Sequence, residues 1–167
     1  MADGALRRLD DTGLPQLAAR LVVGVLFVAL GWSKLDDPVA FLKALREYEM
    51  FPPGAPWLMN ATAGALPLAE VLCGALLLLG VAVRGTALFL GAMLVAFTLA
   101  IGLRTAALSA QDAVPLCAVA FDCGCGKGVQ NGCSKLAENA GLLLACAVAL
   151  ASRSRRWCLR PALLRAG

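Results

Sequence analysis

Four of the chain's seven cysteines fall within seventeen residues, in the segment CAVAFDCGCGKGVQNGC from Cys117 to Cys133. Thiols at such density exchange disulfides, staple a loop or bind a soft metal. Four cysteines allow three pairings, and spacing does not choose among them. Within the Cys123-Gly124-Cys125 unit a disulfide closes a very small ring, so it should be strained and easily reduced, as labile and catalytic disulfides are. Relaxed alternatives pair Cys117 or Cys133 with one member of the unit. The exchange reading therefore has Cys123 and Cys125 trading disulfides with a partner, Cys117 or Cys133 resolving the mixed disulfide, and Lys127 favouring a thiolate. The competing structural reading is two inert staples across a long loop.

A soft metal, copper or zinc, is the other chemical reading of clustered thiolates. It has less support: the chain contains no histidine and no CxxC pair, so no metal ligand set is assigned. Without CxxCH, covalent haem attachment is excluded on the standard motif. Cys73 and Cys146 fall inside apolar blocks and read as packing residues. Cys158, beside Trp157 in a basic tail, reads as an unmodified thiol.

Two charges also stand inside apolar blocks, where a bare charge is costly and calls for a partner. Glu70 lies about 20 Å along a helix from Trp57, and Arg20 about 18 Å from Trp32. If the two tryptophans mark one interface, the charges meet, which predicts an Arg20–Glu70 ion pair tying two helices together. Pro67, one turn before Glu70, is a candidate kink.

These residues need a scaffold, and composition defines its class. Sixty per cent of the 167 residues are hydrophobic and 16% are charged, against about half and about a quarter in an ordinary soluble domain. The apolar residues come in blocks long enough to cross a hydrocarbon core about 30 Å thick. The spacing predicts an all-α, four-helix membrane bundle in a single domain over residues 1–167, with spans at about 14–34, 57–83, 85–104 and 136–152. A cysteine-rich outer loop occupies 105–135. Between the first two spans, an aspartate before Pro38 and then Phe41, Leu42, Leu45 and Tyr48 at helical spacing predict a short amphipathic outer helix, ended by Pro52 and Pro53.

Basic residues near span ends collect on the cytoplasmic side. Arg7 and Arg8, Arg84, and Arg153, Arg155, Arg156, Arg160 and Arg165 share one side if four spans exist. Both termini are then cytoplasmic, and the cysteine loop faces the periplasm or exterior, where thiols are paired or exchanging. A cell inner membrane and membrane lipid are the expected setting. The net charge of +4 belongs to the tail that holds the membrane, and no nucleic-acid partner is read into it. The first span lacks a small-residue cleavage site and is expected to be retained.

An arginine at the inner start of span one, Gly24, Phe27 and the Gly31-Trp32-Ser33-Lys34 end, followed by Pro67-Leu68-Ala69-Glu70, a leucine run and Gly80, resemble the DoxX-like superfamily. The outer CGCG, with Glu138-Asn139-Ala140 opening the last span, resembles more specifically its methylamine-utilisation MauE branch. That branch follows C-x-C with an aromatic and a glycine. Here Gly126 and Lys127 follow Cys125, and Cys117 and Cys133 are additions. The resemblance implies a membrane protein assisting periplasmic disulfide formation or redox maturation, alongside a thioredoxin-like partner. Lys34, Lys127 and Asn139 are candidate supporting residues. By analogy with four-helix disulfide oxidases a quinone is a candidate cofactor, although their CxxC is missing. The alternatives are soft-metal transport and a structural subunit of an amine- or sulfur-oxidising complex.

Overall fold

The computed structural model describes residues 11–52, 54–122, 124, 128–152, 154 and 157–159. In chain order these form α1 (Leu14–Asp36), α2 (Pro38–Glu47), α3 (Pro56–Leu79), α4 (Val83–Asp112), a single 3-10 turn (Leu116–Ala118), β1 (Ala120–Asp122), β2 (Val129–Asn131) and α5 (Gly132–Ala151). Helices α1, α3, α4 and α5 are each long and apolar enough to cross a membrane. They form an all-α membrane bundle.

The distribution of side chains is inverted relative to a soluble bundle. Leu72, Leu88, Leu99, Leu103 and Leu144 point outward and are more than 60% exposed, whereas Arg20, Lys34, Glu70, Thr105, Lys135 and Asn139 are buried. In water such a surface would be an aggregation hazard, but against lipid tails it is the low-energy arrangement. The core is built from Val23, Phe27, Leu77, Ala87, Leu90, Leu94, Cys146 and Ala149, with Cys73 packed against it. Both intramembrane cysteines are thus packing residues.

Small residues let the helices approach. A Cβ on Gly74 would lie 2.9 Å from the Gly24 carbonyl oxygen, and one on Gly24 would lie 2.6 Å from Leu78 Cγ. About two turns along α1, a Cβ on Gly31 would meet Val71, Glu70 and the Pro67 carbonyl. This stripe makes α1 and α3 the most closely packed pair, as small residues do in membrane bundles. Pro67 stays inside a continuous α3.

The observed ends differ from the apolar blocks for local reasons. Helix α3 stops at Leu79 because Gly80 adopts φ +74° and its N–H, with that of Val81, returns to Leu77 and Leu76 carbonyls, a left-handed helix stop. Helix α4 runs past Arg104 to Asp112, since hydropathy marks where lipid ends and not where the backbone stops being helical. Helix α5 starts at Gly132, where the Asn131 side chain accepts from Ser134 N at 3.2 Å. A Cβ on Gly132 would lie 2.6 Å from Thr105 Oγ1, so α5 begins in close contact with α4.

The outer helix forms as its sequence predicts. Asp37 accepts from Ala40 N at 2.9 Å and Pro38 occupies the first turn. Phe41 and Ala44 are buried, so α2 lies across the end of the bundle. Above it, strands β1 and β2 pair antiparallel with Ala120 opposite Asn131 and Asp122 opposite Val129. This hairpin is absent from the helical reading of the sequence, because three-residue strands carry no periodicity to detect. Tyr48 holds it edge-on through Phe121, with ring centroids 5.9 Å apart.

Candidate functional site

The hairpin brings Cys117 and Cys133 together, each just beyond the ladder, and they form a disulfide with Cα atoms 5.1 Å apart. Gly132 N donates to the Val119 carbonyl at 3.1 Å, and Asn131 Nδ2 donates to the Cys117 carbonyl. This pairing corrects the expectation that Cys117 or Cys133 bonds to the CGC unit. The physical reason is register: once Ala120 faces Asn131, the cysteines just outside that end of the ladder are brought together, while Asp122 and Val129 close its opposite end.

Cys123, Cys125 and Lys127 lie outside the described residues. Gly124, between the two cysteines, is described and buried. Its φ of +70° is a conformation that L side chains rarely adopt. Its N–H donates to Asp122 Oδ1 at 2.9 Å. A Cβ there would lie 3.1 Å from Ala44 Cβ and 3.4 Å from Phe41 Cδ2. The centre of the CGC unit is therefore seated on α2.

Beneath this seat is a cavity of about 770 Å³, lined from α1, α2, α3, α4, α5 and Gly124. Its walls are largely apolar, including Phe27, Leu66, Phe97, Ala100 and Leu142, and its polar side chains include Lys34, Glu70 and Asn139. Lys34 Nζ donates to both carboxylate oxygens of Glu70, at 2.6 and 2.7 Å, with both side chains buried. The ammonium also stands 5.2 Å from the Phe41 ring centroid and 5.4 Å from that of Phe97, within reach of cation–π attraction. Asn139 Nδ2 donates to Thr98 Oγ1 at 3.2 Å, and Lys135 pairs with Glu138 at 2.8 Å.

Glu70 therefore has a partner, but it is not Arg20. The predicted Arg20–Glu70 pair assumes that Trp32 and Trp57 are level, and they are not. The glycine contacts set Gly31 opposite Pro67–Val71 and Gly24 opposite Gly74–Leu78, so α3 extends past the end of α1 and Trp57 stands well beyond Trp32. Glu70 falls about one turn from Lys34, and Arg20 faces the far end of α3, about 11 Å deeper by helical rise. There its guanidinium donates to the Leu77 and Leu78 carbonyls at 2.9 Å each, to Trp157 O at 3.2 Å and to Cys158 Sγ at 3.1 Å. Arg20 satisfies the last carbonyls of α3, which a helix leaves without intrahelical partners. Sequence reasoning found both buried charges and assigned Lys34 a supporting place, but it missed that Lys34 is the counterion. The available signal was Lys34 closing a span on the end where Glu70's helix has its N-terminus.

Among the described residues no three Cys, Asp or Glu side chains converge into a metal-binding group. Fold and site together define a polytopic membrane protein with a disulfide-stapled hairpin over a mostly apolar, ion-paired cavity. Residues 13–152 match the family described as methylamine utilisation protein MauE. The match covers well over half of the chain, which belongs to this family of methylamine-utilisation-associated membrane proteins. No curated protein and no solved structure matches it significantly.

Proposed function

We propose that the protein carries out thiol–disulfide exchange for the maturation of a periplasmic partner of thioredoxin-like kind. The reading assigns exchange to Cys123 and Cys125 and a structural role to the Cys117–Cys133 bond. The observation that carries it is this division of labour: the staple uses two of the four clustered sulfurs at the hairpin base, and Gly124 fixes the centre of the remaining pair against α2. A disulfide across Cys-Gly-Cys forms a small, reducible ring. A partner thiolate attacks one of its sulfurs, the S–S bond breaks, and the second cysteine leaves as a thiolate. A second partner thiolate then displaces the mixed disulfide, leaving the partner oxidised and Cys123 and Cys125 reduced.

The arginine distribution supports an inner-membrane orientation with both termini cytoplasmic and the hairpin periplasmic. The resemblance to the DoxX-like superfamily supports the same redox association. The staple weakens the soft-metal alternative, because it removes two of four candidate thiolates. Replacing Cys123 and Cys125 singly by serine tests the proposal. One variant should trap a covalent, reductant-sensitive complex with a co-expressed thioredoxin-like protein, and a Cys117→Ser variant should retain exchange activity in the fraction that folds. Loss of bound copper or zinc on the same substitutions, without any trapped complex, would contradict it.

A further inference from the structure

Repeated oxidation of a partner leaves Cys123 and Cys125 as a dithiol, so each cycle requires an acceptor for two electrons and two protons. We infer that the cavity beneath Gly124 binds an isoprenoid quinone from the membrane, which accepts them. The inference rests on the exchange reading for its electron donor and on the cavity's own geometry for its ligand.

The volume, about 770 Å³, lies within the roughly 300 to 1,000 Å³ of small-molecule sites. Its walls combine aromatic rings, Phe27, Phe41 and Phe97, with aliphatic side chains, which suits a flat ring carrying an apolar tail. Lining residues Val22 and Leu58 are 51% and 37% exposed and belong to two of the helices apolar enough to cross a membrane, so the proposed route for a lipid-phase ligand runs between α1 and α3. An acyl chain needs no hydrogen-bond donor; a quinone carbonyl does.

Lys34 supplies that donor. An ammonium has three N–H groups, and two of them are used by Glu70. Among the described residues no acceptor meets the third, although the side chain is buried and lines the cavity. Glu70 holds the Lys34 side chain in place through two short hydrogen bonds, so a carbonyl oxygen brought to Lys34 finds a fixed donor. The same donor stabilises negative charge as the quinone oxygen takes up electrons. Gly124 lines the cavity too, so the peptide that links Cys123 to Cys125 borders the ligand. The step balances as dithiol plus quinone giving disulfide plus quinol: two S–H bonds break, one S–S bond forms, and two O–H bonds form on the ring.

The probe is decylubiquinone added to the full-length protein in phospholipid nanodiscs, with the protein first reduced and then freed of reductant. We expect saturable binding near one per chain, and bleaching of the quinone absorbance by wild type that a Cys123→Ser, Cys125→Ser double variant abolishes while still binding. Lys34→Met should weaken binding at least tenfold. Because that change strands Glu70 and can impair folding, Ala100→Phe provides a second test, filling the cavity while leaving the ion pair intact, and should weaken binding to a similar degree. A protein that exchanges disulfides with its partner but shows no saturable quinone binding, or binds equally in all variants, would overturn this inference and leave the exchange reading standing. Native mass spectrometry finding phospholipid that decylubiquinone cannot displace would overturn it as well. Quinone that binds but is not reduced, with no mixed disulfide trapped, would overturn the exchange reading and the redox step with it.

Discussion

Glu70 is 2% exposed and Lys34 7%, and each accounts for the other's presence in the bundle. Breaking a buried pair from one side leaves an unmatched charge and costs on the order of 3 to 5 kcal/mol, whereas removing both members together is often close to neutral. Lys34→Met alone should therefore lower the thermal midpoint sharply in detergent, and Lys34→Met with Glu70→Gln should recover most of it. Equal losses in the single and double variants would show that the ion pair is not what the carboxylate depends on. That Glu70 needs a counterion was legible in the sequence, because an isolated charge in an apolar run is costly wherever it stands. Which residue supplies it was not legible, since the answer depends on how far α3 slides past α1, and two tryptophans were a poor ruler for that offset. The role of Arg20 was hidden for a related reason: its acceptors are the Leu77 and Leu78 carbonyls, and backbone groups leave no trace in a residue pattern.

At the scale of elements, the four long helices could be read from apolar length alone, whereas their partners could not. The α1–α3 contact is made by glycines at 24, 31 and 74, which in sequence look like ordinary small residues. Gly74 faces backbone, the Gly24 carbonyl oxygen and Val28 N, which cannot rotate away. Gly74→Ala should therefore destabilise the bundle by about 1 to 3 kcal/mol, the usual cost of overpacking. Gly64 lies on the same helix, and a methyl group placed there would meet nothing within 4 Å, so Gly64→Ala should be neutral or slightly stabilising through helix propensity. Matched thermal unfolding of the two variants checks this, and similar effects at both positions would argue against the α1–α3 register. The hairpin is the opposite case. Its cysteines were conspicuous, but its pairing follows from three ladder positions that hydrophobic pattern does not encode.

For the whole molecule, the fold makes the orientation expected from the arginines testable. The α3–α4 turn with Arg84 and the segment after α5 stand at one end of the bundle, tied together by Leu159 N donating to the Leu79 carbonyl at 3.2 Å. The hairpin stands at the other end. With positive residues inside, a fluorescent protein fused to the C-terminus should fold and fluoresce, and alkaline phosphatase inserted at Gly128 should be active. The reverse pattern would place the cysteines in a reducing compartment and remove the chemical setting for exchange.

On the proposed exchange function, the four clustered cysteines divide into a resistant staple and a working pair. Thiol trapping and mass spectrometry on membranes, across a titration of mild reductant, test it directly. The Cys117–Cys133 peptide should stay linked while Cys123 and Cys125 open at low reductant and close again when an oxidised thioredoxin-like partner or a quinone is added. Two disulfides that resist reduction together, or four thiols that are free and metal-loaded, would contradict it.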